Sequence, residues 1–180
     1  MVTSLFDSKL INRIRKLLLE RKETVSVAES VTSGMLQLAF SNADKAIYFY
    51  QGGITAYNLG QKTRHFNIDP IYAQNCNCVS EKTVSEMAIH ICRSFSSDWG
   101  IAVTGYASPV PESGNKLFAW YGLSYRGQIL FTQKFTTKSG SPIEVQLFYS
   151  NSILHSFHQF LQKEKTALKK TKKAKGAKEQ

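Results

Sequence analysis

VAESVTSGMLQLAF, residues 27–40, starts as a buried strand and ends as a helix, with Glu29, Ser30, Thr32, Ser33 and Gly34 packed into the junction. An ordinary strand-to-helix connection needs one N-cap residue. This one holds three hydroxyls, a carboxylate and a glycine. Upstream, Leu10, Ile11, Ile14, Leu17 and Leu18 recur at three- and four-residue spacing among Arg and Lys. That predicts an amphipathic helix over about 7–21 with Asp7 or Ser8 as N-cap. TVSVAES (24–30) alternates as a strand, and residues 33–41 fit a short buried helix.

Downstream, AIYFYQGGITAY (46–57) reads as a helical or turn segment near 43–49 followed by a strand to about Tyr57. Residues 58–67 form a helical turn or two, and Asp69-Pro70 marks a break. Ser80 opens a helix carried by Val84, Met87, Ala88, Ile91 and Phe95. WGIAVTG (99–105) is a third strand, and 107–116 is a loop of Pro, Gly and Ser. Residues 117–125 and 128–137 make a hairpin about Arg126-Gly127, and Ile143 to Leu161 a closing helix. The order predicts an α/β fold: a three-layer α/β/α sandwich whose mixed, mostly parallel sheet ends in a C-terminal hairpin plus closing helix.

The 180 residues suffice for one domain with a sizeable core, over 1–162, before a lysine-rich tail, 163–180. The net charge is +10, but 163–180 hold eight lysines and two glutamates, so the tail alone carries +6. That tail lacks apolar periodicity and is expected to be disordered or a frayed extension of the last helix. It suits weak, nonspecific nucleic-acid contact through phosphates, or serves as a solubilising extension with no partner. No apolar run approaches the roughly 18 residues of a membrane span, and the charged N-terminus does not read as a secretion signal. A cytoplasmic protein without membrane association is the expectation. Cys76, Cys78 and Cys92 are read as reduced thiols, and His155 and His158 as solvated or interfacial side chains, so no metal site is expected.

In a sheet with parallel crossovers the ligand crevice lies at the carboxyl ends of the strands. Three such ends are AES-VTSG, GGITAY-NLGQK and VTG-YASP. A helix beginning near Val31 or Thr32 would aim unpaired backbone N–H groups at the crevice, with Ser30 exposed at the turn. Simple N-capping by Ser30 or Thr32 is the plainer reading. A serine nucleophile needs a base, and no histidine sits at a strand end. Lysine can serve once burial lowers its pKa. Lys62, five residues after Tyr57, lies just past the second strand. Glu29 either orients that lysine or satisfies backbone amides of the next turn.

Taken together, AESVTSG, GGITAYNLGQK, VSEKT and AVTGYASP resemble, in order and approximate spacing, the CinA C-terminal domain family over roughly residues 8–160. That family includes nicotinamide-nucleotide amidases, which hydrolyse nicotinamide mononucleotide to nicotinate mononucleotide and ammonia. The resemblance implies Ser30 as nucleophile, Lys62 as its base and Tyr57 as a further catalytic residue. It places Thr32, Ser33, Gly34, Gly52, Gly53, Thr104 and Gly105 in the substrate pocket. Backbone amides at 31–34 or near 105 would hold the oxyanion, with no metal and no cofactor. Isolated domains of the family resemble self-associating proteins, so a homo-oligomer is expected, the apolar hairpin offering an edge. The sequence departs from the family pattern at Val31, Ser33, the stiffer segment Tyr106–Pro111, and Gln146, near which the family carries an arginine suited to a phosphate. The alternative to an enzyme is a catalytically impaired domain that binds a nucleotide or other small molecule.

Overall fold

The computed structural model describes residues 5–176, with side chains to 163. Helix α1 (Ser8–Arg21) begins where the Asp7 carboxylate accepts the amides of Lys9 and Leu10, and it ends on a left-handed Lys22. Strand β1 (Val25–Glu29) comes next, buried along its whole length. Then come α2 (Met35–Ser41), β2 (Tyr50–Thr55), α3 (Leu59–Phe66), α4 (Pro70–Asn75), α5 (Glu81–Ser94) and β3 (Trp99–Tyr106). The hairpin is β4 (Leu117–Tyr125) and β5 (Gln128–Thr137), and α6 (Pro142–Gly176) closes the fold.

The five strands form one sheet in the order β2-β1-β3-β4-β5. The first three are parallel to one another, and β4 and β5 add antiparallel pairings. Side chains alternate across the sheet with period two. Val25, Val27, Trp99, Ile101 and Val103 face the layer of α1, α2 and α6, where Ile14, Leu18, Phe40, Tyr149 and Phe157 are fully buried. Ala28 and Ala102 face the layer of α3, α4 and α5, with Phe66, Met87 and Ile91. Small residues dominate this second face because α5 lies close to it. A methyl group on Gly100 would collide with the Ala88 carbonyl oxygen, and the Ser124 hydroxyl donates to that carbonyl at 2.6 Å.

Two local readings change. Asp69-Pro70 starts a helix instead of marking only a break: Asp69 caps the amides of Ile71 and Tyr72, and Pro70 occupies the first turn, where its missing N–H is no loss. The helix after β1 begins at Met35, behind a turn at residues 31–34, not at 33. The α6 backbone runs on to Gly176, so the lysine-rich segment begins inside this helix. The expectation of a separate disordered tail falls largely on side chains beyond 163 and on 177–180, outside those described. Among the described residues no helix is long and apolar enough to cross a membrane.

Candidate active site

Strand β1 ends at Glu29, whose side chain determines the shape of the turn at residues 31–34. It is fully buried and accepts the Thr32 hydroxyl at 2.5 Å and the amides of Gly34, Leu36 and Gln37 at 2.9–3.2 Å. The carboxylate therefore caps α2 from the strand side, favourable against the positive end of a helix dipole. This answers two expectations. Glu29 satisfies backbone amides of the next turn and does not orient Lys62. The N-terminus of α2 is filled by the chain's own anion, so it is no open cradle. Ser33 and Gly34 both take left-handed backbone, at φ 50° and 97°, a conformation glycine adopts without cost and serine does not.

Ser30 sits at the end of β1, before that turn, 6% exposed. Across the β1–β2 ladder the chain leaves β2, and Asn58 caps α3 by accepting the Gln61 amide. One turn into α3, Lys62 points inward. Its Nζ donates to Ser30 Oγ at 3.0 Å, and the residue is 3% exposed. Burial lowers the Lys62 pKa below that of an ordinary lysine, with the neighbouring Cys78 thiol acting weakly the other way. No salt bridge to Lys62 occurs among the described residues. A lysine held without a counter-ion next to a hydroxyl favours its neutral form, which can accept a proton.

The pair opens into a cleft of about 320 Å³ at the carboxyl ends of β1 and β3. Ala102 is the last β3 residue paired with β1, and β3 continues to Tyr106 beyond it. Thr104, Gly105 and Tyr106 thus line the cleft. Thr104 Oγ1 donates to the Cys78 carbonyl at 2.9 Å. Tyr106 is fixed by three contacts: its hydroxyl accepts from Asn77 at 3.1 Å, its carbonyl accepts the Tyr149 hydroxyl at 3.1 Å, and its ring meets Phe118 edge-on. Pro142 and Gln146 of α6 also line the cleft.

Of the residues expected at the site, Ser30, Lys62, Thr104 and Gly105 converge on the cleft. Tyr57 borders it but is 77% exposed, so it stands at the mouth and not between nucleophile and base. Thr32 and Gly34 serve the Glu29 cap instead of the cleft. Ser33 is not among the residues lining it; its hydroxyl accepts from the amide nitrogen of Gln146, which does line the cleft, at 3.5 Å. Gly52 and Gly53 lie inside β2. A side chain on Gly52 would strike Phe95, and one on Gly53 would strike Val27. Their role is packing. The amides of Ser33 and Gly34 are engaged by Ser30 and Glu29, so neither is free to hold an oxyanion; Val31 of this turn lines the cleft.

The segment Asn77-Cys78 was not expected at the site. Both residues are left-handed, at φ 50° and 58°, and they carry the acceptor for Thr104 and the thiol beside Lys62. Asn-Cys-Asn-Cys offered one signal, asparagine's tolerance of left-handed backbone; the side-by-side placement with Lys62 is tertiary.

Known proteins agree with this architecture. A "CinA-like protein" of Synechocystis is 40% identical over 103 residues, 57% of this chain and 25% of its own length. A "Putative competence-damage inducible protein" of Alkaliphilus metalliredigens is 33% identical over 124 residues, 69% of this chain and 29% of its own. The chain therefore spans about a quarter of the length of such curated relatives. A solved competence or damage-inducible protein from Enterobacter asburiae superposes with a TM-score of 0.81 at 25% identity, covering 88% of this chain and 99% of that one. The model of the CinA C-terminal domain matches residues 7–161, and the chain belongs to that family.

Proposed function

We propose that the chain is a serine–lysine amidohydrolase that cleaves a carboxamide of the nicotinamide type to a carboxylate and ammonia. The 3.0 Å contact between Lys62 Nζ and Ser30 Oγ in a desolvated cleft carries this reading. Neutral Lys62 takes the Ser30 proton as Oγ bonds to the amide carbon. The carbonyl oxygen becomes an oxyanion held by a backbone amide at Val31 or near Gly105, a kind of contact worth about 3–4 kcal/mol in other hydrolases. The Lys62 ammonium then returns its proton to the leaving nitrogen, which departs as ammonia and leaves an ester on Ser30. A water molecule, deprotonated by Lys62, attacks that ester. Ser30 regains its proton and the carboxylate leaves.

Nicotinamide mononucleotide is the first substrate to assay, by ammonia release. Ser30→Ala and Lys62→Ala are each expected to lower turnover about 10³-fold or more. Full activity in either variant would overturn the reading. A second reading, binding without turnover, is favoured by the near-complete burial of both side chains, 6% and 3% exposed. It predicts calorimetric binding of the nucleotide with no ammonia released by wild type.

A further inference from the structure

We propose that the part of the substrate beyond the reacting amide carries no phosphate, so that the site takes unphosphorylated carboxamides in preference to phosphate monoesters. This deepens the serine–lysine reading and rests on it. A phosphate dianion in a protein cleft is held by Arg or Lys side chains or by a free helix N-terminus. Here a carboxylate stands at the start of α2 and another at the start of α6. Glu29 takes the amides that open α2. At α6, whose Pro142 lines the cleft, Glu144 accepts the Ser141 amide and hydroxyl at 2.8 and 2.7 Å. Those bonds hold its pKa below the usual carboxylate value; exposed and outside the lining of the cleft, Glu144 adds a solvent-screened negative charge two residues from Pro142 and from Gln146.

The cation of the cleft is Lys62, which is committed to Ser30. A phosphate beside it would favour the ammonium form and remove the base. The lysines of α6 begin at Lys163, about 30 Å along the helix from Pro142. The rest of the lining is uncharged, Gln146, Asn77, Ser108 and the ring of Tyr106 included. These groups offer amide and hydroxyl partners and an aromatic face, which suit sugar hydroxyls and a planar ring.

The test compares ammonia release from nicotinamide mononucleotide and from its dephosphorylated nucleoside. The nucleoside is expected to have a kcat/KM at least tenfold higher. Equal values, or a preference for the nucleotide, would overturn the proposal. Gln146→Arg should shift the nucleotide-to-nucleoside ratio toward the nucleotide by about tenfold, and Glu144→Gln by a few fold, in proteins whose melting curves match wild type. An unmoved ratio in the arginine variant would sink the electrostatic account. Calorimetry with Ser30→Ala separates the two levels of the argument. Ammonia release that survives this substitution defeats the hydrolase reading. The relative affinities for the two compounds still decide the charge preference.

Discussion

In the proposed mechanism Lys62 couples catalysis to stability. As the base it must be neutral, so kcat/KM should rise with pH along a limb whose midpoint lies below the ordinary lysine value of 10.5, because burial lowers its pKa. A limb at or above 10.5 would remove it as the base. The same desolvation sets a stability slope. The unfolded chain binds a proton at Lys62 that the folded chain releases, so between the depressed pKa and 10.5 stability increases with pH. Lys62→Met should therefore stabilise the fold near neutrality, by about 1 kcal/mol, and the gain should shrink as pH approaches 10.5. Urea melts at two pH values measure it. Glu29 predicts the opposite: Glu29→Ala leaves one hydroxyl and three amides without their acceptor, and should cost about 2–4 kcal/mol. Ser30 was legible because it falls at a strand end, whereas Lys62, one turn into α3, and Thr104, within β3, were marked by the family resemblance. The division of labour within VTSG was not legible. Whether hydroxyls face a ligand or their own strand depends on where Glu29 points, and that is fixed by packing.

Among the elements, the closest fit is α5 on the sheet. Gly100→Ala would drive a methyl into the Ala88 carbonyl oxygen and should cost about 2–3 kcal/mol. Gly114→Ala meets nothing within 4 Å and carries only the strain of its left-handed backbone, φ 60°, about 1 kcal/mol. Chemical denaturation of the two variants should rank them in that order; equal losses would show that α5 shifts to make room. Most elements could be read from periodicity and caps, including α1 from Asp7 and α5 from Ser80. Helix α4 was missed because Asp-Pro both interrupts one helix and starts another, and six residues are too few to display a period.

At the scale of the whole molecule, the alternation of strands and helices gave the layered fold. The strand order needed the structure, since no local pattern says that β3, and not β2, joins β1 to the hairpin. Helix α6 begins at the cleft and reaches its lysines about 30 Å away. Deleting 163–180 should accordingly weaken any salt-sensitive DNA binding while leaving amide hydrolysis unchanged. Loss of hydrolysis would place the tail in the chemistry.

Ser30 and Lys62 are 32 positions apart and meet only after β1 and β2 have joined as parallel neighbours. Parallel pairing requires a closed crossover loop, a slow step for a refolding chain. Recovery of turnover after dilution from urea is thus a clock for that closure. It should lag, or at best match, the fluorescence change of the buried Trp99 on β3, read in a Trp120→Phe background.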